Sequence, residues 1–303
     1  MNRLVIDALL GKINACAASE GNARTKVVVN RIVRDLFYTI EDLDVTPDEF
    51  WTALNYLADA GKSGELGLLA AGLGLEHFLD LRLDEAEVNA GLEGGTPRTI
   101  EGPLYVAGAP ESKGHARLDD GNDPGEPLLM RGRVLSEDGK PLADALVEVW
   151  HANHLGNYSF FDKSQSPFNL RRTIRTDADG NYSFRSVVPV GYSVPPAGMA
   201  QQLLDLLGRH GHPPAHIHFF VSAPGYRKLT TQINIDGDPY LWDDFAFATR
   251  DGLVPEVKKA EGTAGRQYGI DGRFALIDFD FTLFRVRDSV PTTEVERVRA
   301  TAA

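Results

Sequence analysis

The sequence predicts a mainly β protein, a β-sandwich domain preceded by an α-helical N-terminal part. Two observations carry this. Apolar residues in the first ninety positions recur at helical spacing, and short alternating runs bounded by turn residues fill most of the rest. Helices first and strands afterwards imply a β core with a segregated helical part. The boundary is set at 95, giving regions 1–95 and 96–303.

In the helical part, Val29, Ile32, Val33, Leu36, Phe37 and Ile40 mark one face of an amphipathic helix. Thr46-Pro47-Asp48-Glu49 is a capping box with proline at the first helical position, and it opens a second helix carrying Phe50, Leu54 and Leu57. A third apolar stretch runs from Leu66 to Leu83, interrupted by Gly72 and Gly74. Gly94-Gly95-Thr96-Pro97 reads as a linker. Beyond it, Leu128–Leu135 is a strand ending at the turn Glu137-Asp138-Gly139, and Ala145–Trp150 is the next strand. Asp179-Gly180-Asn181 is a turn before Tyr182-Ser183-Phe184. Ile217–Val221 reads as a buried strand, and Phe274–Val286 as one alternating strand.

Composition narrows the classes. The chain has 303 residues, 43% hydrophobic and 24% charged, ordinary for a globular protein. Its net charge of −12, from 43 acidic and 31 basic residues, lacks the basic footprint of a nucleic-acid binder. The single cysteine, Cys16, excludes an intrachain disulfide and a Cys-rich zinc site, and reads as a small buried apolar residue. No apolar run approaches a membrane span, and the first residues do not resemble a secretory signal. The expected location is the cytoplasm.

Chemistry concentrates at Pro214-Ala215-His216-Ile217-His218-Phe219-Phe220-Val221. On a strand, His216 and His218 point to the same face, so both can ligate one metal. Their apolar flank argues for burial, and two uncompensated imidazoles there would be costly. The usual completions are missing. None of the eight histidines follows 218, no acid follows the pair closely, and Asp205, Asp236 and Asp238 stand in no diagnostic position. Tyrosines remain. Tyr158 in Gly156-Asn157-Tyr158-Ser159 and Tyr192 in Gly191-Tyr192-Ser193 have suggestive contexts, but spacing does not single them out among nine.

Longer ordered blocks resolve this. Gly95–Val106, Val149-Trp150-His151-Ala152-Asn153, Gly156–Ser159, Leu206–Gly211, His216–Phe220, Leu229–Asn234 and Leu241–Phe245 together resemble the intradiol ring-cleaving dioxygenases, closest to the catechol-cleaving branch, over nearly the full length. The resemblance implies intradiol cleavage of catechol by O2 to cis,cis-muconate, in aromatic-compound degradation. It implies one non-haem Fe(III) per chain, held by Tyr158, Tyr192, His216 and His218. Hard ferric iron suits phenolate oxygen, and a bound cation stabilises the deprotonated phenol. Tyr192 would be the axial tyrosinate that substrate displaces, and Gln232 would act beside the metal. Leu68, Ala71, Ile100, Pro103, Leu104, Phe245 and Ala246 would line the ring pocket. The helical part would form a homodimer and hold phospholipid tails.

One position departs from the family pattern. Pro213 stands where the family usually has an arginine credited with stabilising negative charge on the substrate. Losing one such group costs on the order of 10²–10³ in rate. His212 and Arg209 are neighbouring replacements to test against the structure. Alternatives are a relative preferring chlorocatechol or hydroxyquinol, to which Ala71 in place of a frequent proline would contribute, and a non-catalytic β-sandwich binding module.

Overall fold

The computed structural model describes residues 2–15 and 21–301. Cys16 lies outside them. The chain forms two compact units, Met1–Ser63 and Gly64–Ala303.

The first unit holds α1 (Arg3–Ala15), α2 (Ala23–Asp42) and α3 (Pro47–Ser63). Asn22 caps α2 by accepting a hydrogen bond from the Thr25 amide at 2.9 Å. The capping box at α3 is closed in both directions: the Thr46 amide donates to Glu49 Oε2 at 2.8 Å, and the Glu49 amide to Thr46 Oγ1 at 3.3 Å. Tyr38 on α2 donates to Asp7 on α1 at 2.6 Å. The apolar face of α2 is only partly covered within this unit: Val29, Ile32 and Leu36 are about half exposed.

The second unit begins with α4 (Leu66–Gly72) and α5 (Leu75–Asn89). Gly74, at φ +75°, makes the turn between them, the conformation a side chain would disfavour. Then follow β1 (Val106–Ala107), β2 (Glu111–Lys113), β3 (His115–Arg117), β4 (Pro127–Ser136), β5 (Leu146–His151), β6 (Arg171–Arg175) and β7 (Asn181–Val187). After these come α6 (Met199–Leu206), β8 (His216–Ser222), β9 (Leu229–Asn234), β10 (Lys258–Glu261), α7 (Thr263–Arg266), β11 (Arg273–Asp278), β12 (Phe281–Leu283) and β13 (Ala300–Thr301). Secondary structure thus changes class near residue 95, while contacts divide at 63. The reason is visible at Glu87 of α5: it is buried and ion-paired to Arg98 and Arg227, the latter at 2.9 Å, which binds α5 to the β part.

One sheet runs β10-β11-β4-β7-β3, with β12 also on β4, and the other runs β2-β6-β5-β8-β9. Their facing sides bury Met130, Val147, Val149, Phe184, Ile217, Phe219, Ile233 and Phe281 as one core. The single strand expected over Phe274–Val286 is two. Both halves pair with β4, Ala275 opposite Leu128 and Phe281 opposite Val134, and the ladder is interrupted between them. There the Asp280 carboxylate accepts the Arg133 amide at 2.7 Å, and a Cβ on Gly132 would sit 1.7 Å from the Phe279 carbonyl. Only glycine permits that approach.

Along β8 the odd residues Ile217, Phe219 and Val221 enter the core, so His216, His218 and Phe220 face the outer side of their sheet. Register places Trp150 of β5 and Gln232 of β9 directly beside His218 on that side. No helix among the described residues is long and apolar enough to cross a membrane.

Candidate active site

Two loops fold back over this outer face. The first follows β5. Its Asn153 side chain accepts the amides of Leu155 and Asn157, both at 2.9 Å, and Gly156 turns at φ +82°. A Cβ on Gly156 would lie 2.7 Å from that of Tyr192, so glycine lets this loop pass against the second one. Tyr158 emerges two residues later and is buried. The second loop follows β7 and carries Tyr192; it is pinned where the Val194 amide donates to Gly211 O at 2.9 Å.

The four side chains converge. Tyr158 Oη lies 3.2 Å from His216 Nε2, which lies 2.9 Å from His218 Nε2. The rings of Tyr158 and Tyr192 meet edge to face at 5.5 Å, and Tyr192 lies 5.7 Å from the His216 ring. Pro214 O is 2.6 Å from His216 Nδ1 and so holds the proton there, leaving the Nε2 lone pair aimed into the cluster. A hydrogen bond could join the two Nε2 atoms only if His218 carried its own proton on Nε2. Its Nδ1 would then be a buried acceptor without a donor, and that atom has no partner. A cation taking both Nε2 lone pairs accounts for the close approach of the two Nε2 atoms, while His218 Nδ1 stays without a partner. Among the described residues no group of three or more His, Cys, Asp or Glu could hold a metal, so an ion here requires the phenols.

The electrostatics agree. Burial pushes the Tyr158 phenol up to about 12, against the pull of a Tyr192 hydrogen bond and of Arg171. Burial, then the proximity of Tyr158, raises Tyr192 well above the usual range. Burial lowers both histidines, His218 further because His216 is beside it. Left alone, all four groups are neutral. Two phenolate oxygens and two imidazole nitrogens form a donor set suited to a hard, highly charged ion, which would reverse the tyrosine balance.

Sequence reasoning missed the groups that hold this arrangement. The Trp150 ring stacks on His218, centroids 4.9 Å apart at 7°. Arg171, 1% exposed, donates to Ser159 Oγ, Ser159 O and Leu104 O at 2.9–3.0 Å, and its guanidinium lies 5.8 Å from the Tyr158 ring. Among the described residues no carboxylate pairs with it, so it is a buried cation beside a phenol. Asp244 accepts the amides of Ala246 and Ala248, both at 2.9 Å, and shapes the loop carrying Phe245. A lone tryptophan, arginine or aspartate in sequence gives no sign of such roles.

Beside the cluster is a narrow slot. Leu68, Ala71, Ile100, Pro103, Leu104, Phe245 and Ala246 all line it, together with Tyr192, His216, His218, Gln232, Pro213 and Asp244. Its volume is about 40 Å³. Asp244 is the one lining residue with a charged side chain type, the imidazoles aside. Neither neighbour of Pro213 supplies a cation. His212 bonds Ser193 Oγ at 3.0 Å and stacks on Tyr240, and Arg209 donates to the carbonyls of Gly72 and Phe245. Both expected replacements are directed elsewhere.

Comparison with known proteins matches the family described as dioxygenase at residues 100–284, and catechol dioxygenase N terminus at 22–91. The chain is 83% identical over 261 residues to catechol 1,2-dioxygenase 2 of Acinetobacter lwoffii, covering 86% of this chain and 95% of that protein. The crystal structure of wild-type Acinetobacter radioresistens catechol 1,2-dioxygenase is 57% identical, with a TM-score of 0.96 over 100% of this chain and 99% of that one. A hydroxyquinol 1,2-dioxygenase of Rhizobium is 34% identical, over 86% of this chain and 90% of its own length.

Proposed function

Since the chain belongs to the intradiol ring-cleavage dioxygenases, we propose that it cleaves catechol with O2 to cis,cis-muconate. The observation that carries this reading is the convergence of Tyr158, Tyr192, His216 and His218 on one buried point beside an apolar slot. A preference for catechol over hydroxyquinol or chlorocatechol follows from the far higher identity to catechol-named relatives. A non-catalytic module would have no use for two buried phenols facing two buried imidazoles.

These four residues would hold Fe(III), which supplies Lewis acidity that gathers both catechol oxygens and makes the ring reactive towards O2. The protein's own groups do the rest. The slot wall of Leu68, Ala71, Ile100 and Phe245 takes the ring by apolar contact and excludes water. Tyr192 Oη would be the base for one catechol proton, because its burial favours the neutral phenol. Tyr158 stays in place, held by the bracing of its loop through Arg171. Gln232, 2% exposed and opposite His218, offers an amide to the slot.

The reading extends to assembly. The half-exposed Val29, Ile32 and Leu36 of α2 support a homodimer through the helical part. A groove of about 550 Å³ lined by Val5, Ile6, Leu9, Phe37 and Ile40, with Lys12 beside them, suits phospholipid tails.

The test is visible spectroscopy of iron-loaded protein. A tyrosinate-to-Fe(III) band is expected that shifts and weakens in Tyr158→Phe and in Tyr192→Phe. A band untouched by both substitutions would sink the assignment.

A further inference from the structure

Arg209 does not itself line the slot, yet it holds two of its walls. Its position is fixed by the end of α6. Gly208 is left-handed at φ +66°, its amide donates to Asp205 O at 3.0 Å, and the Arg209 amide donates to Leu204 O at 2.8 Å. That is a Schellman closure, which sets the direction in which the arginine leaves the helix. Its guanidinium then bridges two carbonyls, Nη1 to Gly72 O at 2.7 Å and Nη2 to Phe245 O at 3.0 Å, while lying 4.9 Å from the Phe247 ring.

Gly72 is the last residue of α4, the helix that presents Leu68 and Ala71 to the slot. Its carbonyl is one of those a helix end leaves unsatisfied, and a cation is favoured there. Phe245 belongs to another wall. The Phe245 ring packs on the end of α4: a Cβ on Gly72 would lie 3.4 Å from it. Arg209 is thus a two-pronged tie between separate walls. The slot's volume of about 40 Å³ is well below the roughly 150 Å³ of a cavity that holds benzene. A ring therefore enters only as lining groups yield, and the tie limits how far α4 can move from Phe245.

Resting on the reading of this slot as the ring pocket, we propose that Arg209 is a positioning residue for specificity. It sets the separation of the α4 and Phe245 walls, and with it the ring substituents that are admitted. A flexible lysine cannot reproduce the planar fork that reaches both carbonyls.

The experiment compares iron-loaded wild type, Arg209→Ala and Arg209→Lys on catechol and 4-methylcatechol. For Arg209→Ala we expect KM for catechol to rise at least fivefold with a smaller change in kcat. The ratio of kcat/KM for 4-methylcatechol over catechol should rise at least fivefold, with Arg209→Lys between the two. The tyrosinate band should keep its position, since no metal-cluster residue is altered. An unchanged ratio, or a loss confined to kcat, overturns the proposal. If the alanine variant fails to fold, the same ratio is read on Arg209→Gln, which cannot span both carbonyls, and an unchanged ratio overturns it there too. Wild type inactive on catechol would instead defeat the functional reading.

Discussion

The indole of Trp150 lies flat on the imidazole of His218, centroids 4.9 Å apart and planes 7° from parallel. β5 and β8 pair these two residues directly, so the stack is a consequence of register. It fixes the ring plane of a histidine whose Nδ1 has no hydrogen-bond partner to do so. Such outer groups commonly govern metal affinity by about 10–100-fold. Trp150→Ala should weaken iron binding by about that factor and cost about 3–5 kcal/mol of stability. Iron affinity by competition with a chelator, alongside urea denaturation, checks both. Undiminished affinity in the folded variant would mean the stack is packing alone.

Gly156 is a tightly restricted position between the two tyrosine loops. Its φ of +82° and the close approach of Tyr192 leave no space for a side chain. Gly156→Ala should push the Tyr158 and Tyr192 loops apart. The expected result is lower iron occupancy and an altered visible band, with a stability loss of about 1–3 kcal/mol. Wild-type occupancy and spectrum in this variant would show that the two loops are independent.

Pro213 lines the slot at the position where the family resemblance leads to the expectation of an arginine, and neither Arg209 nor His212 brings a cation there. Pro213→Arg should raise kcat on catechol, by up to about 10²-fold if the charge is placed as a preorganised donor. No gain in turnover would remove the idea that this position limits the rate.

Asp80 gives stability a pH dependence. Burial pushes its carboxyl up to about 7 from 3.8, against the pull of Arg98 and Arg250. The folded chain therefore keeps a proton that the unfolded chain releases. This contribution is fully present below about pH 4 and is lost as pH rises through 7, a change on the order of a few kcal/mol. Asp80→Asn should be progressively more stable than wild type from pH 5 to 8 in urea denaturation. Parallel pH curves for the two proteins would contradict this.

The sequence made the architecture legible where local patterns are strong. The Thr46 capping box, the turn at Glu137-Asp138-Gly139 and the buried strand at Ile217–Val221 each appear as predicted structure. The break in Phe274–Val286 was hidden, because it depends on Gly132 of a distant strand admitting the Phe279 carbonyl. The histidine pair was visible from its spacing, but the two tyrosines stood out only through a family resemblance. They come from loops 34 residues apart in sequence, at 158 and 192, and meet only in three dimensions. The roles of Trp150, Arg171 and Arg209 were not legible in the sequence: they arise from register, burial and reach to backbone carbonyls.

The most direct measurement is oxygen uptake by iron-loaded protein given catechol, with the product identified by mass and ultraviolet spectrum. Intradiol cleavage gives cis,cis-muconate with one O2 consumed per catechol. No uptake by protein shown to contain Fe(III), or a product of cleavage outside the diol, would contradict it.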